Sequence, residues 1–230
     1  MVTGPIKNNP YLQQVLFQNL SSTDIQPSQL KSSAQLISSS INAKAGIATI
    51  SANGAKINNV GKIIRNSGDM QSYEGFQASI RRAGASSDPL QTIRLANSAD
   101  YIARTKPQML NDSFAALARN LGNNDNNLID SFNSAFTSTV EKVGINGLQT
   151  FNRGIKAVEN ADYSNSSVTQ SENLQKFFST VRKINSAGEN AEQTASNLDR
   201  LVRGAELNKN GKDIWNYFND FTGPDPDNIG

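Results

Sequence analysis

The feature that most constrains this fold is the spacing of apolar residues, which recur every third or fourth position along most of the chain. That period matches the 3.6 residues of an α-helical turn, so each run forms one buried stripe on a helix. Between residues 69 and 144, four successive stripes are ended by Gly84, Pro107, Gly122 and Gly144. Because glycine and proline commonly terminate helices, we predict an all-α fold, a multi-helix array or bundle of about nine to eleven short helices.

The stripes also predict which residues form the core. Two helices are expected before residue 42, along residues 11–20 and 30–41. Asp69 and Asp125 are predicted N-caps, and Asp88 with Pro89 is expected to open a further helix. Met70 and Leu90 are expected to begin buried stripes. The later stripes run through residues 148–158, 174–184, 191–202 and 214–221.

Residues 42–66 are ambiguous between helix and hairpin. Gly46, Gly54 and Gly61 interrupt the stretch, and each glycine costs about 1 kcal/mol relative to alanine inside a helix. A helix with close backbone contacts is the favoured interpretation, because isoleucines still recur at about seven residues. The alternative is an α+β fold with a hairpin within residues 45–62, turning at Asn53 and Gly54.

The domain organisation is expected to be simple. We predict an N-terminal helical segment at 1–66 that includes the glycine-rich part, a helical core at 67–223 and a flexible tail at 224–230, together forming one domain. With 230 residues, the chain can bury a core without disulfides or metal.

The chain contains neither cysteine nor histidine. It therefore offers no thiolate nucleophile, no imidazole base and no zinc or haem ligand of either type. An enzyme built from this chain has to use carboxylates, Lys, Tyr, Ser or Thr. We predict that the chain is not an enzyme and binds no cofactor or metal.

The motifs that remain favour structural roles. Ser28 with Lys31 has the Ser-x-x-Lys spacing, but the companion elements of that chemistry are absent, so Ser28 is predicted to cap a helix. The oxygen-rich stretch 123–130 lacks the glycine and glutamate of a calcium loop and is predicted to be a helix entry. Paired carboxylates catalyse glycoside hydrolysis, but here the candidates fall on separate predicted helices: Glu74, Glu141, Glu159, Glu172 and Glu206.

The charges are nearly balanced, with 22 basic and 20 acidic residues and a net charge of +2. Nucleic-acid binding needs a concentrated basic surface. Three basic clusters occur, and each is better explained as a solvated helix face, so nucleic-acid binding is an alternative that we do not favour. The clusters are Arg81 with Arg82; Arg94, Arg104 and Lys106; and Lys176, Arg182 and Lys183.

Two short sequence similarities do not indicate a function for this chain. Residues 138–143 (STVEKV) echo residues 179–184 (STVRKI) at a separation of about 41, which would fit a duplicated hairpin. Coincidence between two amphipathic helices is the favoured explanation, because the flanking residues do not match. Residues 50–57 (ISANGAKI) resemble a helical segment of the phycobiliproteins, but the chain lacks the cysteine that would hold a bilin.

An aromatic cluster near the C-terminus is the candidate docking site. Trp215, Tyr217, Phe218 and Phe221 include the only tryptophan of the chain. Trp and Tyr bury a large rigid surface and keep a polar handle, which suits them to interfaces. The alternative, which we favour, is that Trp215 and Phe218 hold the last helix against the core.

Function is predicted from these features together. We favour a non-enzymatic structural or assembly subunit, of the virion, phage-particle or extracellular-appendage type, that acts through protein partners or self-association. A helical carrier that shelters a ligand is one alternative, and a secreted effector or carboxylate-based hydrolase is another. We expect no membrane-spanning segment and no cleavable signal peptide, and the location stays undetermined.

Overall fold

A computed structural model describes residues 43–86, 90–122 and 125–221. These ranges are 84% helical and contain nine helices. We number the helices in chain order: α1 (Ala43–Asn66), α2 (Met70–Ala85), α3 (Leu90–Thr105), α4 (Pro107–Arg119), α5 (Asn126–Val143), α6 (Ile145–Glu159), α7 (Gln170–Ala187), α8 (Ala191–Leu207) and α9 (Gly211–Asp220).

The all-α prediction is confirmed, and the hairpin alternative for residues 45–62 is wrong. Helix α1 runs through that stretch without a break. Gly54 and Gly61 are buried within it, beside the buried Ile57, Val60 and Ile64. The cost of glycine is therefore offset by tertiary packing. The predicted helices before residue 42, the Ser28 cap, the Asp88–Pro89 helix start and the 224–230 tail lie outside the described residues.

Local capping explains where several helices begin. The Asp69 carboxylate accepts a hydrogen bond of 3.1 Å from the Ser72 amide at the start of α2, and Asp125 caps α5 in the same way. Thr169 and Glu172 form a reciprocal capping box on α7. Pro107 was expected to close α3, and it also opens α4, where its missing amide hydrogen costs no helical bond.

Contacts between Cα atoms divide the chain into two compact units, Met1–Ala118 and Arg119–Gly230. Unit 1 includes α1 to α3 and nearly all of α4, and unit 2 includes α5 to α9. The domain boundaries expected from the sequence stay a prediction.

The described part of unit 1 consists of two stacked helical hairpins. Short connections reverse the chain between α1 and α2 and between α3 and α4. Alternate helices then lie side by side and parallel. Between α1 and α3, Lys56 contacts Asn97 and Asn59 contacts Asp100. Between α2 and α4, the Ser72 hydroxyl donates to the Asn111 carbonyl, and the Phe76 and Phe114 rings meet edge to face with centroids 5.3 Å apart.

Unit 2 repeats this arrangement. The α5–α6 and α7–α8 hairpins stack so that α5 lies parallel to α7 and α6 to α8, and α9 continues the row beyond α7. Partner residues on alternate helices of both units lie 38 to 53 positions apart along the chain. Stacked hairpins of this kind are the packing unit of α-solenoids, in which each hairpin contacts only its neighbours.

The structural repeat does not follow the short sequence echo. Residues 138–143 and 179–184 lie on the neighbouring helices α5 and α7, but Asn185 is the residue that donates to Ser138 and Thr139. That pairing corresponds to a separation of 46 to 47 residues, whereas the echo has about 41. The stacking register therefore gives the echo no structural meaning.

The core of unit 2 is built from phenylalanine. Phe132, Phe151, Phe177 and Phe178 come from three helices, and their ring centroids lie 5.6 to 6.1 Å apart. All four are buried. Such aromatic pairs stabilise a core beyond the area that they bury.

Three predicted core positions are wrong. Met70 and Leu90 are 60% and 53% exposed, and Ala191 is exposed as well, because each is the first residue of its helix and lies before the buried stripe begins. Most other predicted stripe residues from Tyr73 onward are buried. In the part of the chain that the structure describes, no helix is both long and apolar enough to cross a bilayer.

Candidate protein-interaction site

The predicted docking cluster on and after α9 is not one continuous patch. Phe218 is buried against Phe177, at a centroid distance of 5.7 Å, and Ile214 is buried beside it. At about 100° per residue, Trp215 and Tyr217 fall on opposite flanks of this buried line. Trp215, Tyr217 and Phe221 each keep part of their surface in solvent.

The two flanks contact different helices. Trp215 lies near α7, where the Lys176 ammonium is 5.6 Å from its ring centroid. Tyr217 lies against α8, and its hydroxyl donates to the Arg200 carbonyl at 2.9 Å. The Arg200 guanidinium stands 5.0 Å from the Phe221 ring. Burial raises the pKa of Tyr217 above its ordinary value. These contacts hold α9 against both α7 and α8, and whether the cluster also docks a partner stays a prediction.

The outward surface of α9 is polar. The residues on this surface are Lys212, Asp213, Asn216, Asn219 and Asp220.

A surface that we call the Tyr101 face lies on α3. It consists of the exposed side chains Leu90, Arg94, Asn97, Tyr101 and Arg104, which fall within about 80° of one another around the helix. Tyr101 is 47% exposed and Leu90 is 53% exposed.

Neighbouring polar groups fix part of this face. Lys56 of α1 donates a hydrogen bond to the Asn97 side chain. Arg104 forms a 3.0 Å ion pair with Asp100, which is almost fully buried and also accepts a hydrogen bond from Asn59. Tyr101 and Leu90 therefore lie among positively charged side chains on the surface of α3.

Sequence reasoning missed the Tyr101 face, although a signal was present. The sequence predicts Arg94 and Arg104 on a solvated helix face and Leu90 in a buried stripe. The spacing of Leu90, Arg94, Tyr101 and Arg104 matches one helix face, so an aromatic residue in phase with two arginines was visible in the sequence.

A cleft of unit 2 lies between α6 and α8 and has a volume of about 270 Å³. Its lining is mostly charged or amide side chains: Arg153, Lys156, Ala157, Asn160, Ala205, Glu206, Asn208 and Lys209. A carrier usually needs a largely apolar pocket. This cleft therefore gives no support to the carrier alternative.

The carboxylates considered for catalysis have other partners or lie on the surface. Glu206 accepts two hydrogen bonds from Arg153, and Glu159 accepts two from Arg119 at 3.1 and 2.9 Å. Glu172 belongs to the capping box of α7. Glu74 and Glu141 are exposed. Of these five, only Glu206 lines the cleft between α6 and α8.

The structure also shows where two other sequence candidates lie. Asp125 of the stretch 123–130 caps α5, as expected of a helix entry, while residues 123 and 124 lie outside the described part. The basic residues of the three clusters that are described are mostly exposed.

Comparison of the chain with protein-family models, with curated proteins and with solved structures finds no match.

Proposed function

We propose that this chain is a non-enzymatic assembly subunit that acts through protein–protein packing, of the kind that builds a virion, a phage particle or an extracellular appendage. The observation that carries the proposal is the Tyr101 face. Tyrosine and arginine are enriched at the centres of protein interfaces and contribute most of their binding free energy. Here both residue types stand beside an exposed leucine on one helix.

The stacked hairpins support the same proposal. Helical stacks present extended, rigid surfaces, and proteins of this architecture commonly use such surfaces for binding. Because Asn97 and Arg104 are already held by Lys56 and Asp100, ordering this surface on association costs less conformational entropy.

The interior of unit 2 also supports a packing subunit rather than a carrier that encloses a ligand. Its centre is occupied by contacting phenylalanine rings from α5, α6 and α7. A carrier would need that volume for its ligand.

The test is the mass of the full chain as a function of concentration, measured by sedimentation velocity. We expect reversible formation of species larger than the monomer. A chain that stays monomeric up to about 1 mM, where association would be worth only about 4 kcal/mol, contradicts the proposal.

A substitution locates the surface. Tyr101→Ala is expected to weaken association by about tenfold or more, the effect of losing an interface anchor of about 1.4 kcal/mol. Leu207→Ala is the matched control, because Leu207 is an exposed apolar residue on α8 and is not part of the Tyr101 face. Circular dichroism of both variants shows whether the fold is kept.

A further inference from the structure

We infer that the buried side-chain amide of Asn185 fixes the register in which α7 lies against α5. Asn185 is then a positioning residue, which disfavours other alignments of the two helices and adds little to the stability of the native one. The inference goes beyond the proposed function, because it concerns the folding of unit 2 whether or not the chain assembles.

Three contacts between the α5 and α7 segments share one alignment. In each contact, the later residue follows its partner by 46 positions, and successive contacts are seven positions apart. A step of seven residues returns to the same side of an α-helix after about two turns. The contacts therefore form one line along the helix pair. In chain order they join Asp125 to Ser171, Phe132 to Phe178 and Thr139 to Asn185.

This line is polar at its two ends and aromatic at its centre. At the first end, the Ser171 hydroxyl donates to the Asp125 carboxylate at 3.0 Å, and both residues are half-buried. At the centre, the buried rings of Phe132 and Phe178 meet edge to face with centroids 5.6 Å apart. The native alignment thus pairs polar with polar and aromatic with aromatic.

The second end of the line is a buried polar group. Asn185 is only 6% exposed, and its amide nitrogen donates to the hydroxyls of Ser138 and Thr139, both at 2.9 Å. Its Oδ1 has no hydrogen-bond partner among the described residues. The loss of hydration offsets much of what the two hydrogen bonds contribute, so this amide is expected to add little net stability.

The apolar residues of α7 do not by themselves fix the alignment. They also recur at seven positions, since Val181 follows Leu174 and Ile184 follows Phe177 by that interval. All four side chains are buried. A slide of α7 by seven residues would place one apolar side chain where another had been, and cores tolerate such exchanges at modest cost.

The polar end of the line opposes the same slide. In one direction, Asn185 would lie opposite Phe132 and would lose both hydroxyl partners while it stays buried. In the other direction, Phe178 would lie opposite Thr139. An unpaired buried amide costs far more than a paired one contributes. In parallel coiled coils, a single asparagine at such a position specifies the register at some cost in stability.

The experiment removes the polar set and keeps its shape. The triple variant Asn185→Leu, Ser138→Ala and Thr139→Val replaces the amide and both hydroxyls together, so none of these polar groups is left without its partner. The midpoint of urea unfolding is expected to stay at or above that of the wild type. In two-dimensional NMR, the wild type should give one amide resonance for each residue of α5 and α7. The triple variant should give two or more sets.

Two further variants serve as controls. Thr180 is buried on the same helix, but its hydroxyl donates to the Lys176 carbonyl of α7 itself, so it does not report on the neighbouring helix. Thr180→Val should therefore keep a single set of resonances. Thr139→Asn combined with Asn185→Thr moves the amide to α5 and the hydroxyl to α7. This exchanged variant should also keep a single set, because the native register again pairs an amide with a hydroxyl.

The results separate register from stability. Several sets in the triple variant, with one set in both control variants, support the inference. A triple variant with one set keeps its alignment without the amide, which overturns the inference. A lowered urea midpoint, or failure to fold, shows that the polar set acts through stability and also overturns it. Several sets in either control variant have the same consequence, because the loss is then not specific to the amide–hydroxyl pairing.

Discussion

The side chain of Asn173 on α7 donates a 2.7 Å hydrogen bond to the backbone carbonyl of Gly211, the first residue of α9. Asn173 is fully buried, and it also donates to the Tyr163 hydroxyl at 3.3 Å. The neighbouring loop joins the same junction, because the Gly211 amide donates to the Asp162 carbonyl and the Asp162 amide donates to the Lys209 carbonyl. One amide side chain thus connects α7, α9 and the 160–169 loop.

Replacing this amide should loosen α9. Asn173→Leu keeps a similar volume but leaves the Gly211 carbonyl without its side-chain donor, which is expected to lower the free energy of unfolding by about 1–3 kcal/mol. Urea unfolding followed by Trp215 fluorescence measures this, because the only tryptophan lies on α9. Asn216→Leu, an exposed position on the same helix, should change stability by less than about 0.5 kcal/mol. Equal effects at the two positions would show that Asn173 does not fix α9.

The close approach of α2 and α4 should make Gly75 intolerant of a side chain. A methyl group at Gly75 would overlap the backbone carbonyl of Phe114, which cannot rotate away. Gly75→Ala is therefore expected to destabilise unit 1 by about 1–3 kcal/mol, although alanine is the better helix former. Thermal unfolding followed by circular dichroism measures the loss. Gly122→Ala is the control, because a methyl group there meets no atom within 4 Å. A stabilised Gly75→Ala variant would mean that the helices can separate at no cost.

Arg153 joins α6 to α8 through a surface network. It donates to both carboxylate oxygens of Glu206, at 3.1 and 2.7 Å, and to Asp199 at 3.2 Å. Hydrogen bonding to Glu206 raises the pKa of Arg153. Because the side chains are about 40% exposed, we expect a coupling free energy of only about 0.5–1 kcal/mol in a double-mutant cycle with Arg153→Gln and Glu206→Gln. The coupling should fall as salt is added. A coupling above about 2 kcal/mol, insensitive to salt, would contradict this.

The capping box of α7 should make stability depend on pH at the acid end. The Thr169 amide and hydroxyl donate to the Glu172 carboxylate at 2.8 and 2.7 Å, and these hydrogen bonds lower the pKa of Glu172 below its usual 4.5. A group with a lowered folded pKa stabilises the fold above its unfolded pKa and loses that contribution as pH falls through the folded pKa.

The comparison is between the wild type and Glu172→Gln, which keeps a hydrogen-bond acceptor without the charge. The wild type should be the more stable at neutral pH, and the difference should shrink below about pH 4.5 and vanish once the carboxylate is protonated in both the folded and the unfolded state. Denaturant unfolding at a series of pH values measures it. A difference that stays constant down to the lowest pH would show that the carboxylate charge has no part in the cap.

Much of the fold is determined locally and could be predicted. The helix starts at Asp69 and Asp125 and the buried stripes of α5 to α9 follow from capping and helical period, which depend on residues only a few positions apart. The prediction for Met70 and Leu90 was wrong because periodicity does not show where along a helix burial begins.

The candidate site was less predictable. The aromatic cluster of α9 was visible in composition, but only packing shows that Phe218 is buried and that Trp215 and Tyr217 face different helices. The Tyr101 face was missed because Leu90 looked like a core residue. Exposure depends on which neighbouring helix covers a position, and that is a property of tertiary structure.

The sequence by itself determined the helical class, most helix boundaries and the absence of thiol and imidazole chemistry, because each depends on residue types and short-range spacing. Tertiary structure alone decided that alternate helices lie parallel in stacked hairpins and that the glycines of α1 remain helical. The physical reason is that these features depend on contacts between residues about 40 positions or more apart, which local spacing does not specify.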